Sequence, residues 1–350
     1  GGSGLLIEDC VFAGGSNGVV LQGGDRRVRD VRVRRSMVLD VGGKFGNAHG
    51  LYAWGVDGLL VEGCLFDHAD PEDDPLRRHL HAGSDNTGVV VRENIFARAS
   101  GEGALLACGG EVVSNVFAMC PRGVTLGGGT YDPLTHRLGV TGRVSGNVVM
   151  DGGEGIVATN IRDGERAAVV AENIVARTSG VGIRVGGAPE GVGVGALEVR
   201  GNVVHACAVG IRLGGEIREG VRVMENQVAC PTGEGVLIEL AGGEAELGGN
   251  LYGAGVNVAG GEACAGRAWA RVTGEADGVW GAPGYAEPGR SLGSMNLARG
   301  GGATAEAYLG ALRARGAGVW NEELDAVSLI EHVRAGFAIT PETRVMAPTP

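Results

Sequence analysis

Val91-Arg92-Glu93-Asn94-Ile95-Phe96 is a phrase that this chain repeats ten times. Earlier copies read Ile7-Glu8-Asp9-Cys10-Val11-Phe12 and Val61-Glu62-Gly63-Cys64-Leu65-Phe66, and the next one reads Val112-Val113-Ser114-Asn115-Val116-Phe117. Further copies centre on Asn147, Asn173, Asn202, Asn226 and Asn250, with a weaker one at Ser36. Nine intervals separate position 10 from position 250, about 27 residues each. A period of that size marks a solenoid.

Each copy is followed by a second phrase, a glycine and then an apolar–any–apolar triplet, as in Gly50-Leu51-Tyr52-Ala53, Gly103-Ala104-Leu105-Leu106 and Gly182-Ile183-Arg184-Val185. Alternation with period two is a strand signal, and runs this short cannot form amphipathic helices. Stacked coils then pair each strand with its equivalent one coil away, at about 4.8 Å. Inward positions become columns. The residue two after the ladder position gives Phe12, Val38, Phe66, Phe96, Phe117, Val149, Val175, Val204, Val228 and Tyr252. The asparagines form an amide ladder, because buried polar groups must be hydrogen-bonded. The expected fold is all-β: a single-stranded parallel β-helix of about ten coils over residues 1–258.

Composition agrees. Glycine accounts for 68 of 350 residues against a usual share of about 7%, without the register of collagen. The net charge is −11 and arginines are scattered, so a phosphate-tracking surface for nucleic acid is not expected. No apolar run approaches the roughly 18 residues of a membrane span. Seven cysteines form no CxxC pair and read as buried free thiols, two of them (Cys10, Cys64) at the ladder position.

The Asn-x-Val/Phe turn and the Gly-x-x-Leu strands resemble the right-handed parallel β-helix proteins of the pectate-lyase-like superfamily, over roughly residues 4–258. The Arg334–Phe337 ending is similar to that of bacterial β-helix repeat proteins. The resemblance implies a right-handed coil and carbohydrate-active chemistry: polysaccharide lyases, glycoside hydrolases, uronan epimerases or tailspikes. It also implies a secreted or periplasmic protein, against which seven thiols weigh. The Gly-His-Gly, Asn-Thr-Asp and Asp-Asp motifs of polygalacturonases, the Asp-Pro-His-Asp of the epimerases and the calcium and arginine signatures of pectate lyases are not recognisable here.

After Asn250 the period fails. Residues 259–350 read as an irregular segment and a helical cap over the open end, with a partner-binding module as the alternative. Thr304 caps a helix over 305–315 that Gly316 closes, and Asn321 caps a second one reaching 335.

A solenoid interior is solid, so chemistry sits on outward columns or loops. The middle residue of the second phrase gives Val20, Tyr52, His81, Leu105, Thr125, Val157, Arg184, Arg212 and Leu237. The residue before the glycine gives Asn17, His49, Arg78, Glu102 and Arg122. Alternation about Leu80 turns both His79 and His81 outward. The expected reaction is β-elimination on a uronic-acid-containing polymer by a polysaccharide lyase. Arg78 pairs with the carboxylate, His81 is the base and Tyr52 the acid. His49, His79 and Glu102 position substrate, and Arg184 and Arg212 continue an anionic-sugar groove. No resident metal or cofactor is required. The acidic run Asp67–Pro75 is a solvated turn overhanging the patch, with Ca²⁺ as the alternative reading. The mixed-charge outward positions Arg32, Glu62, Arg92, Glu198, Arg200 and Arg222 favour a monomer over a trimeric tailspike. A glycoside hydrolase on the same scaffold is the second enzymatic reading, and a non-catalytic glycan-binding or structural module such as an adhesin is the third.

Overall fold

A computed structural model describes residues 2–24, 26–43, 48–69, 78–128, 139–164, 166–186, 193–230, 235–316 and 322–339. Every coil lays down three short strands in the same order. The first coil supplies Leu6–Glu8 to a first sheet, Val11–Ala13 to a second and Asn17–Gln22 to a third. Among the described residues the three sheets hold ten, eleven and eleven strands, and all but the last strand of the third sheet pair with an equivalent one coil away. Pairing is parallel except for the last strand of the third sheet, Glu262–Cys264, which pairs antiparallel with its neighbour, and the coil is right-handed, as parallel crossovers are.

The columns are those the sequence predicts. Phe12 pairs with Val38, Val38 with Phe66, Phe66 with Phe96 and Phe96 with Phe117, continuing to Tyr252 and then to Trp280. The phenylalanine rings stack at 4.8 and 4.9 Å between centroids. Asn94, Asn115, Asn147, Asn173, Asn202, Asn226 and Asn250 are fully or almost fully buried, each hydrogen-bonded to the next at 2.9–3.0 Å. Cys64 takes the ladder position one coil earlier, and its backbone N–H donates to Asn94 Oδ1 at 2.8 Å. All seven cysteines are free.

The turn that sets the ladder has a fixed geometry. The residue before each ladder position is left-handed, with φ from 43° at Arg35 to 65° at Gly146. Only four of these ten residues are glycine, although an L-residue in that region costs about 1–2 kcal/mol. The stacking of coils therefore holds the turn even without glycine, and at Asp9 and Arg35 even where the ladder residue is Cys10 or Ser36.

The C-terminal segment has two parts. The hairpin of Val256–Ala259 and Glu262–Cys264 closes the third sheet. Helix Arg267–Thr273 sets Trp269, 1% exposed, over the end of the core. Glu275, also buried, then finishes the ladder. It accepts from Asn250 Nδ2 at 2.8 Å, from Tyr252 Oη at 2.5 Å and from Trp269 Nε1 at 2.8 Å. A Glu275→Leu variant should lose roughly 2–4 kcal/mol of stability, because four buried donors, the backbone N–H of Asn250 among them, lose this acceptor. Glu275→Gln, which keeps one oxygen, should lose less. Urea midpoints measure both, and equal stability of the Leu variant and the parent would refute the role.

Helices Leu292–Ala298, Ala305–Arg315 and Ala326–Gly336 do not sit on the end of the solenoid. They lie along the outer face of the second sheet, where Tyr308, Leu309, Leu329 and Phe337 pack with Leu65, Ile95, Val116, Val148 and Ile174. Strands buried on both faces are apolar on both, which is why the residue after each ladder position is Val, Met, Leu or Ile in nine of ten coils. Thr304 and Gly316 bound their helix as expected. The last helix instead has Asp325 as N-cap, accepting from Ser328 N at 2.8 Å, and Asn321 lies outside the described residues. Arg313 binds the helices to the solenoid through Asp40 and the fully buried Asp67, which also pairs with Arg98.

Candidate functional site

Register on the third sheet brings the expected residues together. His49 pairs with Arg78 and Tyr52 with His81 across the strands His49–Trp54 and Arg78–Ala82, and Arg78 pairs with Glu102 on the next strand. Leu80 and Ala82 are fully buried in the core, so His81 faces outward. The rings of His49, Tyr52 and His81 form one cluster. Their centroids are 5.3 Å apart for His49–Tyr52, 5.0 Å for His49–His81 and 5.2 Å for Tyr52–His81.

Burial sets the protonation of this cluster. It lowers His49 to about 4, helped by the Arg78 charge, and His81 to about 3, helped by His49 and Arg78. Both rings are neutral at pH 7. Burial also raises Tyr52, which stays protonated. The Nδ1 atoms of His49 and His81 are buried without a hydrogen-bond partner among the described residues, leaving Nε2 as the working nitrogen.

His79 is corrected. It does not face outward: it is 7% exposed, lies 6.1 and 6.4 Å from the rings of Phe66 and Phe96, and its Nε2 is 2.7 Å from the carbonyl oxygen of Ala97. The reason is a break in alternation at the glycine position. A Cβ on Gly50 would lie 3.1 Å from Phe66 Cδ1, and one on Gly103 2.6 Å from Phe117 Cδ1, so this position points at the core although the next residue does too. The strand is kinked there, and His79 turns its ring into the corner between the second and third sheets. Burial lowers it to about 4. The same kink turns His49, Arg78 and Glu102 to the outside.

Arg78 pairs with Glu102, and the pairing continues. Arg122 bonds Glu102 Oε1 at 2.7 Å and Glu154 Oε2 at 2.9 Å, and Arg184 bonds Glu154 Oε2 at 3.0 Å. The outward residues Leu105, Thr125 and Val157, one from each of three successive coils beside this ladder, are all buried. Burial works to raise the Glu102 carboxyl, but Arg78 and Arg122 outweigh it and hold it below the usual range. Thr125 donates to Glu102 Oε1 at 2.9 Å. Further along, Arg212 pairs with Glu239 at 2.6 Å. Leu237, expected in this column, takes the glycine position opposite Gly210 and is fully buried, while Glu239 pairs with Arg212; the phrase Gly235–Ile238 is offset by two residues from Gly210–Leu213.

Arg122, Glu154 and Glu239 thus belong to the site, and so does Trp54. Trp54 shares the outward face with Tyr52 two residues along the same strand, and its ring lies over Gly83. Alternation from Tyr52 would have found it. Among the described residues no group of three or more His, Cys, Asp or Glu is placed to hold a metal ion, and residues 70–75 of the acidic run lie outside the described residues. No helix among the described residues is long and apolar enough to cross a membrane. No family model, curated protein or solved structure matches the chain.

Proposed function

We propose that the third sheet binds a carbohydrate chain, and that the His49–Tyr52–His81 cluster cleaves it at a uronic-acid unit by β-elimination. A right-handed parallel β-helix is a scaffold compatible with carbohydrate-active proteins. The observation that carries the reading is the cluster itself: three packed polar rings beside Arg78, on a face that also carries Trp54 and the line of ion pairs.

His81 Nε2 takes the proton on the carbon next to the carboxylate, and Arg78 offsets the charge that develops on the carboxylate oxygens. The C4–O bond breaks, its electron pair leaves with the glycosidic oxygen, and Tyr52 protonates that oxygen. A C4–C5 double bond remains in the new non-reducing end. Neutral His81 and protonated Tyr52 are the forms this sequence of steps needs at pH 7. Glycoside hydrolysis fits less well, because it needs one protonated carboxyl and Glu102 is held ionised between two arginines. His49 and Trp54 hold the sugar ring, and His79 supports the corner from beneath. Action on an extracellular polymer, and hence a secreted or periplasmic place, follows from this reading.

His81→Ala and Tyr52→Phe should each lower turnover by about 10²–10⁴-fold, read as the ultraviolet absorbance of the unsaturated product. Full activity in both variants would end the assignment. A second reading, glycan binding without cleavage, is favoured by one observation: Arg122, Arg184 and Arg212 each already carry a carboxylate partner. Calorimetric binding with no absorbance change on any uronate polymer would select it.

A further inference from the structure

Contact among the three rings restricts the side from which a sugar can be attacked. Tyr52 and His81 stand opposite each other on neighbouring strands, and both project from the outer face of the third sheet. Beneath them Leu51, Ala53, Leu80 and Ala82 are fully buried in the core. The centroids of Tyr52 and His81 are 5.2 Å apart, a contact distance for aromatic rings, so no pyranose enters between them. Exchanging roles alters nothing, because His49 lies 5.0 Å from His81 and 5.3 Å from Tyr52. Whichever ring is the base and whichever the acid, both meet the same face of a sugar laid on the sheet.

β-Elimination is sensitive to that restriction. The base takes the C5 proton and the C5–H electron pair becomes the C4–C5 double bond. The C4–O pair leaves with the glycosidic oxygen, which takes the proton of the acid. Base and acid must each come within about 2.6–3.2 Å of the atom they serve. In gluco- and manno-configured uronates the C5–H and C4–O bonds lie on one face of the ring, and two touching groups reach both. In galacturonate, guluronate and iduronate the two bonds lie on opposite faces, and the groups would have to stand on either side of the ring. Contact also closes the cycle: the proton gained by His81 passes to the Tyr52 oxygen, and both side chains return to their neutral forms.

We infer that the cluster performs a syn elimination, and that the unit it cleaves is a glucuronate or mannuronate, with C5–H and C4–O on one face. This rests on the proposed lyase site, and it holds whatever charge the neighbouring arginines have left to offer. The test gives the full chain three pairs of polymers that differ in this stereochemistry and yield the same unsaturated chromophore. They are polymannuronate and polyguluronate, chondroitin sulfate and dermatan sulfate, and polyglucuronate and polygalacturonate. Cleavage is read by absorbance and binding by calorimetry. In at least one pair the first member should be cleaved about 10²-fold or more faster than the second, the loss expected when one group cannot reach its atom. A second member that binds as well as the first and is still cleaved that much more slowly places the selection in the chemical step, as the geometry requires. If no pair reaches that ratio, or if any pair favours its second member, the inference falls and the lyase reading stands. If none of the six polymers gives an unsaturated product, both fall.

Discussion

Asn147→Ala should cost roughly 3–6 kcal/mol of stability, more than most single substitutions. The Asn147 side chain accepts from the backbone N–H of Asn115 at 2.9 Å and from Asn115 Nδ2 at 3.0 Å. It donates to Val112 O, Ser145 O and Asn173 Oδ1 at 2.9–3.1 Å. Five contacts disappear at once in a fully buried setting: the backbone N–H of Asn115 loses its side-chain acceptor, whereas Asn115 Nδ2 keeps Val91 O and Val113 O, Ser145 O keeps Ser114 N, and Asn173 Oδ1 keeps the backbone N–H of residue 147. Each orphaned group costs about 1–3 kcal/mol, partly recovered as neighbours relax or water enters. A surface control such as Glu246→Ala should move the urea midpoint hardly at all. If Asn147→Ala unfolds at the same urea concentration as that control, the ladder contributes nothing and the claim is wrong.

The second large effect is a loss of stability in mild acid. His49 and His79 are held at about 4 and His81 at about 3, in each case chiefly by burial, whereas an unfolded histidine titrates near 6.5. Between those values the unfolded chain binds protons that the folded chain refuses, so stability falls as pH drops from about 6.5 towards 4 and levels off below about 3. Each histidine contributes on the order of 2–4 kcal/mol over that window. The three contributions do not simply add, since a charge on His49 disfavours one on His81. Other groups near the cluster pull the opposite way: Glu102 favours protonation of His49 and His81, and Asp67 that of His79. Urea midpoints at pH 7.5, 6.0 and 4.5 should fall steadily. His79→Gly restores the residue usual at that position and should flatten the decline, whatever it does to stability at neutral pH. A midpoint independent of pH between 7.5 and 4.5 would show that the rings protonate freely in the folded chain.

The sequence made the coil legible because a column is a repeated word: the phenylalanine and asparagine columns could be written down before any coordinate was known. The cluster of His49, Tyr52 and His81 followed from the same bookkeeping. His79 did not, because strict alternation fails where the strand kinks at the glycine position, and only the collision of a Cβ with the phenylalanine column reveals the kink. Leu237 was misplaced because its strand pairs two residues further on than the Gly235 phrase suggests, with Leu237 standing where other coils have glycine. The ion ladder was within reach. Arg78, Glu102 and Arg122 alternate in sign down a column already written, and one more coil adds Glu154. The docking of the C-terminal helices had a signal too, in the apolar residue that follows each ladder position and faces away from the core. Its meaning, a second buried face, depends on knowing that the strand is already covered on the other side.

The amide column also has a polarity. From Asn94 onward every Nδ2 donates its hydrogen bond towards the C-terminal end, so the array is a one-way line of dipoles whose last member, Asn250, presents a donor. Only an acceptor can terminate it, and a carboxylate does so at Glu275 where an amine could not. Coils spliced into the middle would extend the line without altering its demands, whereas any coil grafted after Asn250 would have to bring its own terminator. Solenoid length is thus set by a stop signal of one residue.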